Sequence, residues 1–414
     1  MARRLKIAFV YDALYPYVVG GGERRYHELA KRLALDHNVC RYSWTYWSPD
    51  DLRPSPEVRY HGAGRAPHFY GSHGKRRITE ALAFALRLAP RLARARFDVI
   101  DCASMPYFPT VSTQICARAT GAALVVTWHE YWGAYWRQYL PGLAAAGAAV
   151  ERLSTLAGDL QVAVSHHTAR KLRASALGRI PVVVVPNGVD LQALRAVSPA
   201  SEPCDLVFLG RLISEKRVDL LLRALLLLLP THPDLRCTIV GDGPMRPKLE
   251  RLANELHLGG SLSFAGFLDE QVALRTLKAS KVCVVPSERE GFGMVVLESQ
   301  AMGVPVVVAR SPESAATDLV EDGRTGLICD PEPLKLAAAI EKLLTSAELR
   351  KTVAANAREV SESYGWDQIA ERMEAIYWTA ARRKGHGYAV QALPKYRAGE
   401  QAPDPLPAGA ATRG

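Results

Sequence analysis

The chain has 414 residues, 48% of them hydrophobic and 23% charged, an ordinary balance for a soluble globular protein and enough length for two domains with large cores. Its seven cysteines (Cys40, Cys102, Cys116, Cys204, Cys237, Cys283 and Cys329) are scattered without a C-x-x-C pair, which argues against a disulfide framework or a zinc site and for a reducing compartment. The net charge of +10 is uneven: residues 1–195 hold 26 Lys+Arg against 14 Asp+Glu, a net of +12, and the rest stands at −2, so nucleic acid, an anionic membrane or plain arginine-rich coding would each account for the basic half.

In chain order, short apolar runs alternate with helical patterns twice over, as expected for βαβ units on a parallel sheet. The first strand is expected at Leu5–Tyr11, its apolar stretch too short for a signal-peptide core. Gly20-Gly21-Gly22-Glu23-Arg24 follows and opens a helical pattern over Glu23–Leu35. Further strands are expected at Asn38–Tyr42, Asp98–Cys102, Ala122–Thr127, Leu160–Val164 and Pro181–Val185. Gly74–Arg96 reads as a basic amphipathic helix suited to an anionic surface or to covering the sheet, with Pro90 expected to kink or end it.

Ala196–Pro203, rich in small residues and proline, reads as a linker between domains at 1–195 and 204–365. Beyond it, strands are expected at Asp205–Gly210, Arg236–Val240, Ser261–Phe264, Lys281–Val285, Val304–Ala309 and Gly326–Cys329. Helical periodicity is clearest at Arg217–Leu229, Pro244–Leu256 and Gly293–Met302. The apolar Leu220–Leu229 is interrupted by Arg223 and closed by Pro230, so no segment is expected to span a bilayer and the protein is expected in the cytoplasm. A last helix is predicted from Trp366 to about Arg383, then a disordered tail over 385–414. The fold expected is α/β, two doubly wound Rossmann-like domains facing a central cleft at the carboxyl ends of their strands.

Chemistry concentrates in Pro286–Glu298, where Glu290 and Glu298 stand eight residues apart across Gly291-Phe292-Gly293. A strand feeding a glycine turn that opens a helix aims backbone N–H groups at an anion, and the glutamates add acceptors for hydroxyls on either side. A ligand anionic in the middle and hydroxylated at both ends is a nucleotide sugar. If the segment were helical throughout, the carboxyls would lie about 12 Å apart, too far for a retaining glycosidase pair at about 5–5.5 Å. Arg211 and Lys216, leaving the strand Asp205–Leu209, could neutralise a diphosphate without a metal. Gly21 and Gly22 permit close approach of a phosphate or make a plain structural turn; for Gly241-Asp242-Gly243 the structural turn is favoured. His129 sits at a strand's carboxyl end beside Glu130. If its neighbours are helical, Trp128, Trp132 and Trp136 form one stripe, of which Trp128, Trp132 and Tyr135 could touch an acceptor or pack in the core.

With Pro186-Asn187-Gly188-Val189-Asp190 and Val240–Pro244, these pieces resemble, in order and over roughly residues 5–380, the retaining GT-B glycosyltransferases of family 4. One departure is Glu298-Ser299-Gln300-Ala301, where that family usually has Glu-Ala. The resemblance implies that Arg211 and Lys216 hold the diphosphate of a UDP- or GDP-sugar, that Glu298 takes the ribose hydroxyls, and that Glu290 with the backbone of Gly291, Phe292 and Gly293 orients the hexose. It implies Gly21 and Gly22 at the phosphate and His129 near the sugar. It also implies transfer with retention, no divalent metal, a lipid-linked or glycan acceptor, and a last helix returning to the first domain. A nucleotide-sugar epimerase of the same fold and a non-catalytic nucleotide-sugar-binding protein are the alternatives. Nucleic acid is not expected, since no reading motif accompanies the basic half.

Overall fold

The computed structural model describes residues 3–48, 54–68, 76–175 and 180–384. The tail after Lys384, the Asp50-Asp51 pair and the start of the basic segment at Gly74–Lys75 lie outside them. The chain divides into two units: residues up to Asn187 together with the last helix from Trp366, and Gly188–Gly365.

The first unit opens with β1 (Lys6–Val10), α1 (Gly21–Leu33), β2 (Asn38–Thr45), β3 (Arg59–Arg65), α2 (Ile78–Arg94), β4 (Val99–Ala103) and α3 (Phe108–Thr120). It continues through β5 (Ala123–Trp128), α4 (Trp136–Tyr139), α5 (Ala144–Ser154), β6 (Leu160–Ala163), α6 (His166–Ala174) and β7 (Val182–Val184). Its sheet is parallel, in the order β3-β2-β1-β4-β5-β6-β7. Alternation along the strands sends Ile7, Phe9, Val99 and Val125 to a core shared with Tyr26 and Leu29 of α1. Ala8, Val10, Ile100 and Leu124 point the other way, onto Phe84 and Leu88 of α2 and Cys116 of α3. Strands buried on both faces read as continuous apolar runs, which is why they are visible in the sequence.

The second unit holds α7 (Leu191–Ala196), β8 (Cys204–Leu209), α8 (Val218–Leu228), β9 (Cys237–Val240), α9 (Arg246–Glu255), β10 (Leu262–Gly266) and α10 (Glu270–Lys278). Then come β11 (Ser280–Val285), β12 (Arg289–Glu290), α11 (Met294–Met302), β13 (Val306–Ala309), β14 (Glu313–Ser314), β15 (Leu327–Cys329), α12 (Pro333–Thr345) and α13 (Ala347–Ser361). Six strands form a second parallel sheet, β10-β9-β8-β11-β13-β15, and β12 pairs separately with β14. Each large sheet therefore reverses its winding once, between β1 and β4 in the first unit and between β8 and β11 in the second. Ligands of doubly wound sheets bind outside the carboxyl ends of strands at such reversals.

Three expectations change. The division falls at Asn187/Gly188, ahead of the expected linker, because α7 packs on α11 and so belongs to the second unit; Asp190 caps it by accepting from the Ala193 N–H at 2.9 Å. α2 continues through Pro90 to Arg94, since Pro90 is exposed and the carbonyl it leaves without a partner can be hydrated. β3, which the sequence does not announce, is an edge strand, Arg-Tyr-His-Gly-Ala-Gly-Arg, in which a side chain at Gly62 would collide with Thr45 Oγ1. Among the described residues, no helix is long and apolar enough to cross a membrane.

The returning helix α14 (Trp366–Arg383) buries Ile369, Met373 and Tyr377 in the first unit's core. Its Tyr377 hydroxyl donates to Asp101 Oδ2 at 2.6 Å, while Tyr26 and Thr127 donate to Oδ1 at 2.8 Å each. Burial raises the Asp101 carboxyl above its usual range, and these donors, with nearby Arg25, pull it back. Tyr377→Phe removes one donor from a buried carboxyl and should cost about 2 kcal/mol, read as a lower urea midpoint at constant slope; an unchanged midpoint would show that the hydroxyl does not hold α14 in place.

Candidate active site

In the second unit the residues of interest leave neighbouring strands at the winding reversal. The loop after β8 runs Gly210–Arg217, and the loop after β11 runs Pro286–Gly293. They are stitched together where the Glu288 N–H donates to the Glu215 carbonyl at 2.8 Å. Across that seam Lys216 Nζ forms an ion pair with Glu290 Oε1, both side chains mostly buried. The Ser287 hydroxyl donates to the same Oε1 at 2.9 Å. The Glu290 backbone is fixed by β12–β14 pairing and by the Ala315 N–H, which donates to its carbonyl at 2.8 Å. Arg211, on the same loop as Lys216, is exposed and makes no ion pair among the described residues.

Phe292 is buried and Gly293, with φ +101°, turns the chain into α11. A side chain at Gly293 would be strained at that φ and would press on Ala316 Cα at 3.3 Å. Glu298 is almost fully buried on α11, whose residues Val296–Met302 are all buried. The helix begins at Met294, close to the expected start at Gly293, so Glu290 and Glu298 do not share one helix: one is on a short strand and the other on α11. Gly241-Asp242-Gly243 is a structural turn, with the Leu212 N–H donating to the Asp242 carbonyl at 2.9 Å and the Met245 N–H to the Leu212 carbonyl at 2.9 Å.

In the first unit, α1 starts at Gly21 directly after the loop that follows β1. A side chain at Gly22 would press on His129 Nε2 at 3.2 Å and the Tyr11 hydroxyl at 3.3 Å, so the bare backbone lets these three groups meet. The Tyr11 hydroxyl donates to Glu23 Oε1 at 3.0 Å, and its ring stacks on His129 with centroids 6.2 Å apart. Both ring nitrogens of His129 are closed off from solvent and have no hydrogen-bond partner among the described residues. Burial, with the Arg25 charge second, pushes His129 down to about 3, so it is neutral at physiological pH, with one donor and one acceptor to offer. Burial also raises the Glu23 carboxyl.

The aromatic segment around His129 is not one helix, so the conditional Trp128–Trp132–Trp136 stripe does not form. Trp128 ends β5, Trp132 lies in a loop, and only Trp136 is in α4. Trp128 is fully buried, packed beside Tyr107 and Tyr131, so it is a core residue and not an acceptor contact. Trp132 is nearly as buried, its indole N–H donating to Glu130 Oε2 at 3.0 Å, and it too belongs to the core. Tyr135, edge-on to Trp132, is half-buried. The organiser is Glu151 of α5, fully buried, whose oxygens accept from Tyr107, the Trp132 and Gly133 N–H groups and the Trp136 indole.

Two family models cover most of the chain: the one described as Glycosyltransferase Family 4 matches residues 19–193 and the one described as Glycosyl transferases group 1 matches residues 192–360. A GDP-mannose-dependent alpha-(1-6)-phosphatidylinositol dimannoside mannosyltransferase of Mycobacterium tuberculosis is 31% identical over 268 residues, 62% of this chain and 68% of that protein. This chain belongs to the family 4 glycosyltransferases. A D-inositol 3-phosphate glycosyltransferase of Thermomonospora curvata is 32% identical over 272 residues, 59% of this chain and 62% of that protein. The chain spans between about half and two thirds of the length of the curated relatives it matches. Sucrose-phosphate synthase of Thermosynechococcus elongatus superposes with a TM-score of 0.76 at 21% identity, covering 92% of this chain and all of that one. Anabaena HepE, solved in complex with UDP-glucose, gives 0.73 at 19% identity over 91% of this chain and all of that one. These structures share the GT-B fold.

The structure thus joins Lys216 to Glu290, and Gly22 to His129. Arg211, Gly21, Gly291, Gly293 and Glu298 lie on the loops and helices at the two winding reversals. Sequence reasoning missed Ser287 and Tyr11, each of which places one hydroxyl on a site carboxylate; Tyr11 carried one signal, its position at the carboxyl end of the first strand.

In side-chain NMR, one imidazole, absent from His129→Asn, should fail to titrate between pH 8 and pH 5 (about the range of an ordinary histidine). The unfolded chain takes up a proton near pH 6.5 that folded His129 refuses until about 3. His129 therefore makes stability fall as pH drops below 6.5, by up to about 1.4 kcal/mol per pH unit. His129→Asn should flatten that acid limb, and an ordinary titration of every histidine would refute the neutral assignment.

Proposed function

We propose that this chain is a retaining, metal-independent hexosyltransferase that moves a sugar from a UDP- or GDP-sugar to a lipid-linked or cell-surface glycan. The observation that carries the reading is the Lys216–Glu290 pair, backed by Ser287, at the winding reversal of the second unit, where doubly wound sheets take ligands. Lys216 and exposed Arg211 supply two cations for a diphosphate and stabilise it as it leaves. Glu290 and the N–H groups at Gly291–Gly293 orient the hexose, and Glu298 takes the ribose hydroxyls. Gly21 and Gly22, at the N-terminus of α1, suit a phosphate. Neutral His129 offers its two unsatisfied nitrogens to a sugar hydroxyl.

In the step proposed, the acceptor oxygen bonds to the anomeric carbon on the face from which the diphosphate departs. The acceptor's proton passes to the departing phosphate oxygen. No metal enters, because Arg211 and Lys216 carry the balancing charge. Seven unpaired cysteines suit a reducing, cytoplasmic setting, and the basic first half suits an acceptor carried at an anionic membrane surface.

A thermal-shift screen of UDP-, GDP- and ADP-sugars should single out one donor. With that donor, Lys216→Ala and Glu298→Ala should each lower turnover by about 100-fold or more while keeping the wild-type melting temperature, and EDTA should leave wild-type turnover unchanged. Near-wild-type turnover in either variant would remove the donor-site assignment. Turnover of the donor without any acceptor, followed by thin-layer chromatography, would point to the epimerase instead.

A further inference from the structure

Asp12 and Glu80 form a buried pair of carboxyls that the site described above does not use. Asp12 follows Tyr11 just past the carboxyl end of β1, and Glu80 lies in the first turn of α2. Their side chains are 0% and 2% exposed. The Trp44 N–H, at 3.1 Å, and the Tyr46 hydroxyl, at 3.2 Å, donate to the Asp12 carbonyl and fix its backbone. One cation serves both acids: Arg76, just ahead of α2, pairs through Nη2 with Asp12 Oδ2 and holds Nε 3.4 Å from Glu80 Oε2. The Trp44 indole donates to Glu80 Oε1 at 2.5 Å. That leaves Asp12 Oδ1 and Glu80 Oε2, both closed off from solvent and without a hydrogen-bond donor among the described residues. The two side chains are within hydrogen-bonding reach of each other.

Two ionised carboxylates beside one guanidinium would bury a net negative charge, and their two bare oxygens would repel. A single proton between them removes both costs, since a protonated carboxyl donates as well as accepts. We infer that Asp12 Oδ1 and Glu80 Oε2 share one proton, and that this proton locks the first turn of α2 to the strand end that carries Tyr11. Asp12 and Glu80 are then positioning residues for Tyr11, whose hydroxyl and ring contact Glu23 and His129. Burial, with the Asp12 charge second and Arg76 opposing, pushes the Glu80 carboxyl up to about 7, so the pair loses its proton and the lock opens as pH rises past neutrality. The other titratable groups facing the cluster are Tyr11 and Glu23 on the Asp12 side and Tyr46 on β2, with the Tyr139 hydroxyl accepting from the Arg76 N–H at 2.8 Å. Of the elements packed on α2, β3 brings Arg59, His61 and Arg65 and α3 brings Arg118, all exposed. The lock does not depend on sugar transfer. Only its bearing on the candidate sugar site rests on the function proposed above, so the tests use neither donor nor acceptor.

Infrared spectra of the full-length protein at about pH 6, below the Glu80 value, read the proton directly. Wild type should show a protonated-carboxyl band that is missing from both Glu80→Gln and Asp12→Asn, because either amide supplies an N–H in place of the proton. Absence of the band from wild type would overturn the proposal. Its survival in Asp12→Asn would do the same, by showing that Glu80 holds a proton alone. The Glu80 carboxyl moves from an ordinary 4.5 to about 7 on folding, so its stabilisation is complete below 4.5 and lost as pH rises through 7. Between about pH 5 and pH 8 the unfolding equilibrium constant of wild type, taken relative to Glu80→Gln, should rise on the order of a hundredfold. The His129 contribution is common to both proteins and cancels, and a constant ratio would overturn the shared proton. Amide exchange over residues 11–13 and 78–81, corrected for the intrinsic effect of pH, should quicken in wild type but not in Glu80→Gln as pH passes about 7. Equal exchange in the two proteins would show that the proton locks nothing, and overturn the positioning role.

Discussion

The ion pair between Lys216 and Glu290 is the interaction from which the rest of the site follows. It exists because β8 and β11 are neighbours in a parallel sheet, so the loops leaving their carboxyl ends can be sewn together by the Glu288–Glu215 backbone hydrogen bond. An ion pair at partial exposure adds little to stability; its value lies in position. The cation is already held on the loop after β8, and the acid is already held by Ser287 and by the β12–β14 backbone. On the proposed function, a diphosphate draws Lys216 toward itself and leaves a Glu290 oxygen open to a sugar hydroxyl, while Ser287 keeps the carboxylate from swinging away. Binding the anion and presenting the acceptor oxygens are then one rearrangement of a group already in place.

His129 solves a different problem. A histidine that titrated near neutrality would compete for protons with any acid–base step close to it. Burial against Tyr11 and Tyr26, with Arg25 nearby, keeps this one neutral. Leaving both nitrogens without partners costs stability, a penalty that makes chemical sense if a ligand supplies the missing bonds. The same reasoning separates His129 from Glu151, which is fully buried but accepts several hydrogen bonds. Glu151 is a finished structural node that shapes the loop after β5.

Most of the fold was legible because its strands are buried on both faces, and such strands leave uninterrupted apolar runs like Val282–Val285. β3 was not, because an edge strand rich in glycine, histidine and arginine leaves no such run, and its Gly62 answers to Thr45, a residue on the neighbouring strand. The Trp128–Trp136 spacing would fit one helix, but β5 runs through Trp128 and Glu151 holds the following backbone in a loop, so tertiary hydrogen bonds decide against that period. Of the site, the charged motif residues were visible, since Arg, Lys and Glu at strand ends carry their chemistry in the sequence. Ser287 and Tyr11 were not: a single hydroxyl matters only through the carboxylate it reaches, and that geometry is set by the fold.

Arg25 shows how far one buried charge can tie these levels together. It lies on the first turns of α1, four residues beyond Gly21, and is fully buried. Such a cation is costly unless its hydrogens find acceptors, and its two terminal nitrogens do, at the Pro186 carbonyl, Asn187 Oδ1 at 3.3 Å and Met373 Sδ of α14 at 3.3 Å, while Nε has none among the described residues. Those partners are the last residues of the first unit before the chain leaves it and the helix by which the chain comes back. The helix whose N-terminus faces the candidate phosphate site is therefore also the one that fixes the chain's exit and return, and Arg25 lowers the basicity of His129 from the same spot. A glycine-rich turn followed by arginine looks, in sequence, like a loop and a solvated charge. Folded, the glycine admits His129 and the arginine carries the position of α1 into the frame of the whole first unit.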